Sequence, residues 1–67
     1  MSVEHYDARP VRRILAAEGR TIAWLARQTG LSHSHLCNLL AGRHPTLPRH
    51  AEAMARALGR DFREVFP

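Results

Sequence analysis

Three residues in the middle of the chain have side chains that could bind a metal ion. His33 and Cys37 stand four residues apart, so on a helix they would lie on one face, and His44 could approach them. A structural zinc site needs four ligands, which usually come as paired CxxC or HxxxH units. These three residues do not provide such pairs, so we expect no metal and no other cofactor.

Catalytic chemistry has even less support in the sequence. The chain contains no GxSxG or HExxH motif and no glycine-rich loop that could hold a phosphate. A chain of 67 residues also has too small a core to enclose a deep substrate pocket. We therefore expect a protein that is not an enzyme and has no small-molecule ligand.

The charge of the chain is the strongest indication of its binding partner. Ten arginines and no lysine stand against six carboxylates, which gives a net charge of +4 and a pI near 11.1. Because a guanidinium binds phosphate and guanine through paired hydrogen bonds, this balance favours a polyanion such as nucleic acid. A GC-rich genome also favours arginine and alanine codons, so the arginine content alone does not establish a function.

The cysteine content and the apolar segments bear on the compartment. A single cysteine excludes an internal disulfide and is typical of a reducing cytoplasm. The polar start MSVEHYDARP does not resemble a signal peptide, and no apolar run approaches the length that spans a membrane. We expect a protein of the bacterial cytoplasm, or of a phage-infected host, without membrane contact.

Hydrophobic spacing divides the chain into an arm and one helical domain. Residues 1–8 lack periodicity and are predicted to form a flexible N-terminal arm, whereas residues 9–67 form the domain. Apolar residues recur there at three- and four-residue spacing, and nothing alternates as in a strand. The predicted helices cover about residues 9–18, 22–29, 33–41 and 47–58, with a last turn over 62–66. The fold class is therefore all-α, with five short helices.

Capping residues and glycines mark the ends of these helices. Four of these helices are preceded by a side chain that can accept a hydrogen bond from a free backbone N–H group: Thr21, Ser32, Thr46 and Asp61. Asp61 also begins a variant of the capping box with Glu64. Gly30 stands where the chain must turn between the second and third helices, which favours a positive φ. The predicted core contains Ile14, Leu15, Leu25, Ala26, Leu36, Leu39, Leu40, Met54 and Leu58.

Two short helices joined by a turn at Gly30 are typical of a helix-turn-helix, which presents its second helix to the major groove of DNA. From Thr21 to Gly42 the sequence resembles, without gaps, the Cro and repressor-type helix-turn-helix of the xenobiotic-response-element family. The resemblance covers roughly residues 10–66 and implies a lambda-repressor-like domain that binds double-stranded DNA. The matching elements are Thr21, Leu25, Ala26, Gly30, Ser32, Leu36, Leu39, Gly42, the end of helix 4 (Ala55–Gly59) and the last helix (Asp61–Phe66).

Carried over position by position, the resemblance implies which side chains contact DNA. The base-reading set, with His35 at its flank, is Ser32, His33, Ser34, Cys37 and Asn38. Asn38 could bind adenine through its N6 and N7 atoms. The set that contacts the DNA backbone is Arg20, Thr21, Arg43, His44 and Arg49. The alternative for each of these side chains is that it is simply solvated.

The sequence departs from the family pattern at several positions. Ile22 stands where many members have a glutamine that binds phosphate, so that contact must be absent. Leu15 and Leu40 stand where many members have a buried Arg–Glu pair, which predicts an apolar contact in its place. Trp24 occupies a position that is usually polar. It could pack on the N-terminal segment near Tyr6 or belong to a partner-binding patch.

The resemblance implies a stand-alone regulator most like a small phage Cro. Such a protein would repress transcription by occupying a pseudo-palindromic operator as a homodimer, with helix 3 in the major groove. The alternative is an antitoxin-type helix-turn-helix protein, which binds a partner protein and regulates its own operon.

Overall fold

The computed structural model describes residues 5–66, which form five helices. In chain order they are α1 (Arg9–Ala17), α2 (Ile22–Thr29), α3 (His33–Leu40), α4 (Pro48–Leu58) and α5 (Phe62–Val65). Within this part of the chain no helix is long and apolar enough to cross a membrane. The prediction of an all-α fold with five short helices is confirmed.

The ends of α2 and α3 follow the prediction closely. The Thr21 hydroxyl accepts a hydrogen bond from the Trp24 N–H at 3.0 Å, and the Ser32 hydroxyl accepts from the His35 N–H at 3.1 Å. Each bond satisfies one of the backbone donors that a helix start leaves free. Gly30 ends α2 in the left-handed region with φ 76°. These contacts fix the angle at which α3 leaves the turn.

One predicted cap is wrong, and another caps its helix through a different bond. Thr46 does not cap α4, because the N-cap is Leu47 and no side chain bonds the first turn of that helix. Pro48 has no N–H, so that turn has one free donor fewer, and Thr46 is instead fully buried. Asp61 does cap α5, but its carboxylate accepts from the Arg63 N–H at 2.9 Å rather than from Glu64 as a capping box requires.

The core forms where α2 packs against α3 and α4, with α1 on α3 and α5 on α4. Fully buried leucine side chains at its centre each contribute about 1.5–3 kcal/mol through removal from water. Leu15 and Leu40 are both buried in this one cluster, so apolar side chains stand where the resemblance would place an ion pair. Ile14 and Ala26, also predicted as core, are only partly buried against it.

The segment before α1 packs on the domain. Tyr6 forms an isolated antiparallel bridge with Thr46, with N···O distances of 2.9 and 3.1 Å. Its ring meets Phe62 and Phe66 edge-on, at centroid distances of 5.0 and 5.8 Å, and Ala8 is 1% exposed. Tyr6 and Ala8 therefore lie against the core, although the sequence placed them in the flexible arm. Residues 1–4 of that predicted arm lie outside the described residues.

Candidate nucleic-acid interface

Helix α3 has one buried face and one accessible face. Leu36, Leu39 and Leu40 point into the core, which leaves the opposite side of the helix free. His33 and Ser34 on that side are exposed, and Cys37 and Asn38 are half-buried. The predicted base-reading residues within the helix therefore share one surface, as their three- and four-residue spacing requires.

Several polar atoms on this face already have partners within the protein. The oxygen of the Ser32 hydroxyl is engaged by the His35 N–H, which leaves its proton to donate. The Cys37 Sγ lies 3.6 Å from the Nδ1 of His33, so the two candidate metal ligands contact each other. No group of three or more histidine, cysteine or acidic residues in residues 5–66 could hold a metal ion.

The chain leaves α3 through a tight backbone motif at Gly42. The Gly42 N–H donates to the Leu39 carbonyl at 3.1 Å and the Arg43 N–H donates to the Asn38 carbonyl at 3.0 Å. This pair of bonds is a Schellman motif, and the φ of 78° at Gly42 is the left-handed conformation that it requires. A Cβ at Gly42 would also lie 3.0 Å from the Cδ of Arg9.

That motif places Arg43 beside Asn38. The Nη1 of Arg43 donates to the Oδ1 of Asn38 at 3.2 Å. A residue predicted to contact phosphate is thus hydrogen-bonded to a residue predicted to read a base. Sequence reasoning missed this pairing, although the Gly-Arg dipeptide directly after an amphipathic helix was a signal for the backbone motif that creates it.

Arg20 is held by two partners at the start of α2. Its guanidinium carbon lies 4.0 Å from the centroid of the Trp24 ring, and its Nε lies 3.2 Å from the Oε1 of Glu18. The other oxygen of Glu18 accepts from Arg60 at 2.9 Å. Of the two interpretations of Trp24, the structure shows an intramolecular contact, in which the ring packs on the guanidinium of Arg20. The ring of Tyr6 meets the two phenylalanines of the C-terminal segment.

The start of α4 lies beside the accessible face of α3. Arg49, in the first turn of α4, and His44, in the preceding loop, are both exposed. His50 packs edge-on against the His35 ring at 5.2 Å, and its Nδ1 is buried without a hydrogen-bond partner among the described residues. Burial lowers the pKa of His50, and the nearby charges of Arg49 and His35 lower it further. His50 was not among the predicted site residues.

Comparison with known proteins places this arrangement in context. A family described as a helix-turn-helix domain matches residues 8–65. A crystal structure of the restriction-modification controller protein C.AhdI from Aeromonas hydrophila is similar, with a TM-score of 0.82 and 25% identity over 88% of this chain and 89% of that chain. The clp gene regulator ClgR from C. glutamicum matches with a TM-score of 0.80 and 26% identity over 88% of this chain and 79% of that chain. No curated protein matches the chain significantly.

Proposed function

This chain belongs to the helix-turn-helix domain family, in which it is a DNA-binding transcriptional regulator, and we propose that within this class it acts as a Cro-like repressor. The accessible face of α3 carries the proposal. It presents hydrogen-bonding side chains to solvent while the opposite face closes the core. A helix exposed in this way fits the major groove of double-stranded DNA.

The proposed contacts divide into two groups. Ser32, His33, Ser34, Cys37 and Asn38 meet base edges, since they lie on α3 or at its start. Phosphates are bound around this helix by Arg43, His44 and Arg49, and at the start of α2 by Thr21 and free backbone N–H groups. Arg20 contributes less to this second group, because the carboxylate of Glu18 already compensates its charge.

Repression follows from occupancy. A bound domain blocks a promoter sterically, which needs no surface beyond the one that binds DNA.

We propose that two protomers bind half-sites about one helical turn apart on a pseudo-palindrome. Their contacts involve α4 or the C-terminal segment from Phe62 to Phe66, and Phe62 is the partly exposed aromatic residue of that segment. The protein would act in the cytoplasm.

Selection of bound DNA from a random duplex pool at physiological salt tests the proposal. We expect one pseudo-palindromic sequence to be enriched, with a half-site spacing that reports the dimer. Affinity for that duplex should fall steeply as salt rises, because arginines displace counterions from the phosphates. Recovery of no preferred sequence, or binding that does not change with salt, would contradict the proposal.

A reporter gene placed under the selected operator distinguishes the direction of control. We expect expression of the protein to lower reporter output, whereas an activator would raise it. A matched reporter with a scrambled operator should not respond. This measurement separates repression from DNA binding as such.

A further inference from the structure

One end of the Asn38 side chain is held by Arg43. The Nη1 of Arg43 donates to the Oδ1 of Asn38 at 3.2 Å. Because a guanidinium has hydrogen-bond donors and no acceptor, the amide oxygen rather than the amide nitrogen must face it. The contact therefore fixes which end of the amide points towards the end of α3, and it turns Nδ2 the other way.

The main chain keeps Arg43 in this place. Its N–H donates to the Asn38 carbonyl at 3.0 Å, so Arg43 contacts Asn38 through both the backbone and the side chain. Gly42, with φ 78°, makes the turn between them possible. As long as α3 keeps its end, the main chain holds the Cα of Arg43 within reach of the amide, and only the arginine side chain has to be ordered for the second bond to form.

We propose that Arg43 determines the base preference of Asn38. With one lone pair of Oδ1 engaged by a cation, Asn38 presents chiefly the two hydrogens of Nδ2 to the groove. Guanine offers two acceptors there, O6 and N7, whereas adenine pairs with asparagine by donating from N6 to Oδ1. Arg43 thus shifts the preference at this base pair from adenine to guanine. This inference rests on the proposed function, because it assumes that α3 lies in the major groove.

Two roles of Arg43 make different predictions. A contact with phosphate alone carries no sequence information, so its loss weakens binding to every duplex by the same factor. A residue that orients Asn38 changes the ranking of bases at one position, and only while Asn38 is present. Base preference is therefore a measurement that a purely electrostatic role of Arg43 would leave unchanged.

A double-mutant cycle on selected DNA separates these roles. The operator is first selected with the wild-type protein, and the base pair read by Asn38 is the one at which Asn38→Ala abolishes discrimination. The affinities of wild type, Arg43→Ala, Asn38→Ala and the double variant are then measured on duplexes with each of the four base pairs there. Arg49→Ala is the matched control, because Arg49 is exposed and lies outside α3.

We expect guanine at that position in the wild-type operator. Arg43→Ala should reduce the preference for guanine over adenine by about fivefold or more, and it should have no effect on preference when Asn38 is already alanine. Arg49→Ala should weaken binding to all four duplexes equally. Arg43→Ala keeps the backbone N–H of the turn, and unchanged thermal melting would show that α3 still ends normally.

The proposal fails if Arg43→Ala weakens all four duplexes by one factor, or if adenine is preferred at this position in the wild type. In either case sequence-specific binding itself stands. If the selection enriches no sequence at all, it is the proposed function that fails. The two failures are therefore distinguishable in the same experiment.

Discussion

The ends of α1 and α3 have the same backbone structure but different side-chain partners. Both carry a Gly-Arg pair in a Schellman motif, Gly19-Arg20 and Gly42-Arg43, with the arginine N–H bonded to a carbonyl one turn back at 2.8 and 3.0 Å. Arg20 then meets the carboxylate of Glu18, whereas Arg43 meets the amide of Asn38. The same backbone motif therefore places one arginine beside a carboxylate and the other beside an amide.

The partner decides what each arginine can do. A carboxylate compensates part of the guanidinium charge, so Arg20 attracts phosphate less strongly than an arginine without an acidic partner. A third Gly-Arg pair, at residues 59–60, brings Arg60 to the same carboxylate from the far end of α4, so the one negative charge of Glu18 is shared by two arginines. An amide leaves the guanidinium charge uncompensated. Arg43 can therefore order Asn38 and still attract phosphate, which makes the end of α3 the more suitable one for binding DNA.

Burial of a charge at the end of α3 should have the largest effect. Leu40→Glu should lower the free energy of unfolding by several kcal/mol, because the carboxylate would lose its hydration among the buried apolar side chains that surround Leu40. The control Ala41→Glu places the same charge on the exposed neighbouring residue and should cost less than about 1 kcal/mol. Urea unfolding measures both. Equal losses would show that Leu40 is not part of a closed core.

Substitution of the two glycines compares the two ends directly. Gly19→Ala and Gly42→Ala should each cost about 1–2 kcal/mol, because alanine is strained at positive φ. At Gly42 the new Cβ would also lie 3.0 Å from the Cδ of Arg9, whereas at Gly19 it would meet no described atom within 4 Å other than those of its chain neighbours. We expect only Gly42→Ala to weaken DNA binding at a temperature where both variants are folded. Similar losses of affinity would mean that the two ends do not differ in function.

Removal of the shared carboxylate should make Arg20 behave more like Arg43. Glu18→Gln should cost at most about 1 kcal/mol in stability, since these are exposed ion pairs. It should raise DNA affinity at low salt and steepen the salt dependence by about one counterion. The control Glu52→Gln gives the same net charge from an exposed position on α4. If both variants gained DNA affinity equally, the cause would be the net charge of the protein rather than the release of Arg20.

The smallest expected effect concerns His50 at the start of α4, whose ring packs against His35 of α3. The pKa of His50 is lowered by burial, so the unfolded chain takes up a proton at His50 more readily than the folded protein does. Its contribution makes the protein less stable as the pH falls through the ordinary histidine range near 6.5. His50→Phe should flatten the change in melting temperature between pH 7.5 and 5.5. A steeper change in the variant would contradict this.

The sequence predicted the helices well for a local reason. Glycines with positive φ and capping hydroxyls act on their immediate neighbours, so the bounds of α2 could be read directly from Thr21 and Gly30. The cap assigned to Thr46 failed because its place is set by Tyr6, forty residues earlier in the chain. No local pattern contains that pairing. The packing of Tyr6 against the core and the burial of Ala8 were missed for the same reason.

The candidate site was predictable as a face but not as a set of hydrogen bonds. Helical spacing alone puts His33, Ser34 and Asn38 on one side of α3. Both arginine partners lie within five residues in the sequence, but helical spacing does not set the rotamer of an arginine side chain, and the rotamer decides which neighbour it bonds. Sequence reasoning therefore placed both Arg20 and Arg43 among the candidate phosphate contacts, and the structure shows that their side-chain partners differ.

The bridge between Tyr6 and Thr46 also gives the molecule an internal reporter of local opening. Both backbone amides are bonded in it, and Thr46 lies in the loop that leads from α3 to α4. The hydrogen-exchange rates of the Tyr6 and Thr46 amides should therefore rise and fall together, although Tyr6 lies near the start of the chain. If DNA binding immobilises this loop, the first place to observe it is the amide of Tyr6.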